Sequence, residues 1–172
     1  MIVTRQVDLP EIENSLHMLG GGNHLDNMAR LRRFKRHFLV ALEQSEFFNL
    51  VFLQSREVAQ IVPPGGDRTL RAVANRAVEL GQPVLSRNWD LAANLQRMRD
   101  YRRVNGNAAL PPLVICEAMN GEERWGRWYV QDGSHRALAH ATLTLLNEFS
   151  YGAQCAYCSM STAGAASYSD LK

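Results

Sequence analysis

A chain of 172 residues, 46% of them hydrophobic, is long enough to bury one compact core, and a formal net charge of +2 falls below the strongly basic balance expected when a whole domain tracks a phosphate backbone. No run of about 18 apolar residues occurs and Met1 to Pro10 carries charges where a secretory leader needs an apolar stretch, so neither a membrane span nor secretion is expected and a cytoplasmic setting is. Three cysteines, Cys116, Cys155 and Cys158, do not make the dense, even framework of a disulfide-stapled secreted miniprotein.

In chain order, Leu25, Met28, Leu31, Phe34, Phe38 and Leu42 recur at three- and four-residue steps, with Arg30, Arg32, Arg33 and Arg36 mostly on the other faces. That spacing predicts an amphipathic helix over 25–42, entered through Gly20, Gly21 and Gly22. A second apolar stretch, Phe47 to Val62, stops at Pro63, Pro64, Gly65 and Gly66, the best boundary in the chain. Residues 1–62 are therefore expected to form an N-terminal helical extension, 67–160 the core, and 161–172 a flexible tail of small and polar residues.

Within the core, Thr69 to Leu80 is expected to be a helix stopped by Gly81, and Pro83 to Ser86 a short strand. Leu91, Leu95, Met98 and Val104 mark one face of the next helix, which ends near Gly106. Pro112 to Ala118 and Trp125 to Gln131 are apolar runs that should pair across the turn signal Asn120-Gly121. Arg136 to Phe149 is helical, with Leu138, Ala141, Leu145 and Phe149 on one stripe, and Ala153 to Met160 is a last strand. The fold class is α+β, a small mixed sheet with packed helices.

Chemistry concentrates where the second run ends in Asp132-Gly133 and turns at once into a helix near Ser134. Free backbone N–H groups and the positive dipole end of such a helix attract anions. Gly133 permits a tight turn and close approach of a phosphate, Ser134 can cap the helix or donate its hydroxyl, and His135 and Arg136 add directed donors. A plain capped turn satisfies the same pattern.

Asp132-Gly133-Ser134-His135-Arg136, followed by Ala137, Ala139 and Ala141, resembles the D-G-x-H-R-x-x-A element of the ParB/sulfiredoxin superfamily, with a similar upstream order over about Pro83 to Ser159. The resemblance implies a nucleotide whose phosphates are held by Gly133, Ser134, His135 and Arg136. Sulfiredoxins carry a nucleophilic cysteine where this chain has Ser134, which disfavours sulfinic-acid reduction. ParB-type partition proteins continue into a helix-turn-helix region that is not found here, which disfavours plasmid partition. Free-serine kinases are the most similar in wording at Asp132, His135 and Arg136, although their middle residue is a histidine.

By that resemblance the expected activity is phosphotransfer from ATP, ADP, CTP or another nucleotide to a small hydroxylated molecule, with Mg²⁺ near Asp132. Catalytic candidates are Asp90, Asp132 and His135. The kinases' glutamate base has no counterpart in the matching stretch, so Asp90, at the head of the preceding helix, is the candidate base, against its ordinary role as an N-cap, and Glu117 is held in reserve. The alternative is a nucleotide-sensing module that binds DNA or a protein partner without turnover; a catalytically silent interaction domain is a third.

The remaining features have plainer readings. Cys155 and Cys158 lack a partner pair for zinc and are expected to pack. His140 is expected on the helix surface, and the arginines at 30–36 and 97–103 on solvated faces, so nucleic acid is not favoured. Trp89, Trp125 and Trp128 are expected in the core or a pocket wall, where one could stack on a base. A homodimer and the role of 1–62, whether lid, acceptor pocket or interface, stay open.

Overall fold

The computed structural model describes residues 1–18, 24–81, 89–106, 110–119 and 126–161. Local signals set most helix starts. Ser55, Thr69 and Asp90 each accept a hydrogen bond from the backbone N–H three residues on, at 3.1, 3.3 and 3.0 Å, and so cap α4 (Arg56–Ile61), α5 (Leu70–Glu79) and α6 (Leu91–Asn105). Helix α6 stops where Gly106 takes a positive φ of 58°. Its predicted face is buried at Leu91, Leu95 and Met98, but Val104, the last residue but one of the helix, is 78% exposed.

The N-terminal segment departs from expectation. Instead of one helix over 25–42, a short α2 (His24–Leu31) gives way to β2 (Arg36–Leu42). With β1 (Ile2–Val7), α1 (Leu9–Met18), α3 (Gln44–Phe48) and the two-residue β3 (Val51–Phe52), the stretch read as a helical extension supplies three strands. Leu31, Phe34, Phe38 and Leu42 are buried as expected, although on two different elements and a turn.

Those strands join β4 (Leu113–Glu117), β5 (Trp128–Asp132) and β6 (Gln154–Met160) in one mixed six-stranded sheet of order β1-β2-β6-β4-β5-β3. Antiparallel pairs are β1 with β2, β2 with β6, and β4 with β5; β4 runs parallel to β6, and β3 parallel to β5. The boundary at Pro63 to Gly66 therefore does not separate two sheets. The β4–β5 pairing matches expectation; Asn120-Gly121, Trp125, Gly20 to Gly22, Pro83 to Ser86 and the tail lie outside the described residues.

Alternation along the strands divides the side chains between two layers. Phe38, Val40, Leu42, Leu113, Ile115, Val130, Ala156 and Cys158 join α5, α6 and α7 (Ser134–Leu145) in the larger core, whereas Val114 and Tyr157 on the opposite face pack with Ile12, Leu16, Met28 and Leu31 of α1 and α2. Among the described residues, no helix is long and apolar enough to cross a membrane.

Candidate anion site at the head of the last helix

Strand β5 passes into α7 through Gly133, which holds φ +86° and ψ 15°. A Cβ at that position would lie 2.7 Å from Leu113 Cδ2 and 2.8 Å from an Arg136 guanidinium nitrogen, so the left-handed backbone favours glycine and any side chain would displace those of Leu113 and Arg136. Gly133, not Ser134, occupies the N-cap, and no side chain caps the helix. The first intrahelical bond runs from Ala137 N–H to Gly133 O at 2.8 Å. The N–H groups of Ser134, His135 and Arg136 precede it and have no carbonyl within the helix.

Arg136 is largely buried. One guanidinium nitrogen donates to Pro112 O at 2.9 Å, and its buried Nε has no hydrogen-bond partner. Among the described residues no carboxylate lies within ion-pair distance of it. Burial lowers its pKa, opposed by the fields of Asp132 and Tyr101. His135 is half-buried, its ring edge-on to Trp89 with centroids 4.7 Å apart, and its Nε2 is buried without a partner. Burial depresses its pKa below the ordinary 6.5; Glu57 and Asp132 pull it up and Arg97 pushes it down.

Asp132 ends β5, and its Oδ1 accepts from Asn27 Nδ2 at 3.3 Å. Gln131 in turn donates to Asn27 Oδ1 at 2.7 Å. Asn27 was not among the sequence candidates; the one signal for it was a polar residue beside Met28 on the apolar side of a helix. Asp90 serves as the N-cap of α6, the plainer of its two readings, and its neighbour Trp89 is the residue that meets His135. The heads of α6 and α7 thus lie together. Glu117 does not join them: it lies at the other end of the β4–β5 ladder, opposite Trp128, bonded to Arg127 and to Ser161 N–H.

Other expectations resolve plainly. His140 is 1% exposed, not on the surface, because α7 is enclosed by the sheet and by neighbouring helices. Cys158 is buried and Cys155 half-buried, and among the described residues no three His, Cys, Asp or Glu groups gather as a metal set. The arginines of α6 have local partners: Arg97 donates to Asn94, Arg99 pairs with Glu148 through two bonds of 2.7 and 2.8 Å, Arg102 donates to Gly106 O, and Arg103 pairs with Asp100. Trp89 packs near Phe52, and Trp128 lies under Arg127.

No protein-family model, curated protein or solved structure matches the chain.

Proposed function

We propose that this chain is a nucleotide-binding protein of the ParB/sulfiredoxin type that grips phosphates at the head of α7 and transfers a phosphoryl group to a small hydroxylated molecule. The observation that carries the reading is Arg136, a largely buried cation with one carbonyl partner, an unpartnered Nε and no ion pair among the described residues, beside an uncapped helix start. A buried charge is costly unless a counter-charge meets it, and a phosphate at this turn would supply one. The free N–H groups of the first turn would share the same oxygens.

Phosphoryl transfer asks mainly for positioning and charge neutralisation. The acceptor's hydroxyl oxygen would bond to the terminal phosphorus as the bond from that phosphorus to the nucleotide's bridging oxygen breaks, and the hydroxyl proton would pass to a carboxylate. Asp90 is the candidate: one oxygen holds Ala93 N–H, leaving the other to take the proton. His135, held toward its neutral form by burial, would donate one N–H to a phosphate oxygen. Mg²⁺ commonly uses one or two carboxylates with phosphate oxygens and water, so Asp132 suits it; the ion would neutralise phosphate charge.

Calorimetric titration of the wild type, Arg136→Ala and Arg99→Ala with ATP, ADP and CTP tests the reading. Loss of the charged hydrogen bonds of Arg136 should weaken binding by about 1.5 to 3 kcal/mol, roughly 10- to 150-fold, and Arg99→Ala should not. If no nucleotide binds the wild type, or Arg136→Ala binds equally well, the reading fails. A nucleotide-sensing module without turnover is the second reading, favoured by the commitment of Asp90 to capping. Tight binding without phosphate transfer to any small alcohol would select it.

A further inference from the structure

We infer that Asn27, from the N-terminal layer, is a positioning residue for the site at the head of α7, holding the Asp132 carboxylate in the orientation that the site uses. The inference rests on the phosphate-site reading and gives the segment before Pro63 a part in it.

Asn27 is 5% exposed, and both ends of its carboxamide are engaged. Its oxygen accepts from Gln131 Nε2 at 2.7 Å, and its nitrogen donates to Asp132 Oδ1 at 3.3 Å. The reversed amide would set N–H groups against the Gln131 N–H groups and oxygen against the Asp132 carboxylate, two repulsive contacts in place of two bonds. The Gln131 side chain is oriented likewise: Cys116 Sγ, which receives Arg30 Nε at 3.2 Å, lies 3.9 Å from Gln131 Oε1 and donates toward it.

Every donor in this chain faces the same way, from the Arg30 guanidinium through Cys116, Gln131 and Asn27 to the Asp132 carboxylate. An acceptor must terminate it, and a carboxylate has no donor of its own to compete. Arg30 and Asn27 are three residues apart in α2, so one turn of a single helix supplies the first and the last donor of the relay. Gln131 precedes Asp132 on β5, so the relay closes on the strand that feeds the Gly133 turn. One oxygen of Asp132 is thereby held by the α2 layer, which fixes where the other points.

The test compares ATP dissociation constants with and without Mg²⁺ for the wild type, Asn27→Leu, Asp132→Asn and the double variant, together with their melting temperatures. Asn27→Leu should lose at least fivefold of the Mg²⁺ enhancement of ATP binding, as Asp132→Asn does, and the double variant should lose no more than either. A merely structural role for Asn27 would weaken binding equally with and without the ion, and that result, or an unchanged enhancement, overturns the inference. If the wild type binds no ATP under either condition, the phosphate-site reading falls. The melting temperatures then decide whether Asn27 holds Asp132: single effects that fail to add support the contact, and effects that add refute it. Should Asn27→Leu not fold, Asn27→Ser, whose shorter side chain cannot reach Asp132, gives the same readings.

Discussion

The Tyr151 ring lies parallel to the imidazole of His140, with 4° between the planes and 5.6 Å between centroids. Phe47 approaches the imidazole at 5.2 Å, and neither ring nitrogen has a hydrogen-bond partner. Burial, and then the charge of Arg102, lower its pKa from 6.5 to about 4. Above pH 6.5 His140 is neutral whether the chain is folded or not. As pH falls from 6.5 toward 4, the unfolded chain binds a proton that the folded one does not, so stability is lost through that window and the loss levels off below it. The full effect is about 3 kcal/mol at about 1.36 kcal/mol per pKa unit. From pH 7 through 5.5 to 4.5 the urea midpoint of the wild type should fall relative to that of His140→Leu; parallel profiles would contradict the assignment.

Gly133→Ala should destabilise the protein by about 1 to 3 kcal/mol, since its φ of +86° lies in the region that a Cβ penalises and the new methyl meets Leu113 and Arg136. Denaturant melts measure this. The same variant should weaken phosphate binding, because the displaced side chain is the guanidinium itself. Retained stability would place the strain elsewhere.

Inorganic phosphate should raise the melting temperature of the wild type with the logarithm of ligand excess, by the equivalent of about 2.7 kcal/mol at 100 times the dissociation constant. Arg136→Leu, which removes a largely buried cation without an ion pair among the described residues, should melt within about 1 kcal/mol of the wild type or above it in phosphate-free buffer, and should show no phosphate shift. Equal shifts in both proteins would show that the ion binds elsewhere.

Asp90→Ala should cost about 1 kcal/mol by removing the α6 cap, whereas Asp90→Asn, which can still accept from Ala93 N–H, should cost a few tenths. Turnover separates capping from proton acceptance. If Asp90 receives the acceptor's proton, Asp90→Asn keeps stability and loses phosphate transfer; undiminished transfer would leave it a cap alone.

The parts legible in the sequence were those specified locally. Thr69 and Gly81 bracket α5, Gly106 ends α6, and Asp132-Gly133 marks the β5–α7 turn, because each requirement is met within a few residues. Strand β2 was misread because Phe34, Phe38 and Leu42 are four apart, a spacing that keeps one face in a helix and in a strand alike. The discriminating signal was Val40, which completes a two-residue alternation with Phe38 and Leu42; its apolar neighbours Leu39 and Ala41 obscured it, since β2 has packed layers on both faces. His140 was misplaced because a single stripe was assumed for a helix buried on most sides, with Ala137 to Leu143 all enclosed. The Asn27 contacts bridge more than a hundred residues and exist only once the layers meet.

Among the described residues, the last strand in sequence is not last in the sheet. β6 lies between β2 and β4, paired along its length with the first and along four residues with the second. Until residues 154–160 insert, the β1–β2 ladder stands apart from β4, β5 and the two-residue β3, and a two-stranded ribbon such as the first is marginal alone in water. Assembly of the sheet is thus gated by the final strand, a long-range closure that favours slow folding. An assembly pathway that waits on β6 exposes the edges of β2 and β4 for as long as it waits, and those edges are where a chaperone, or another copy of the chain, would find an opening.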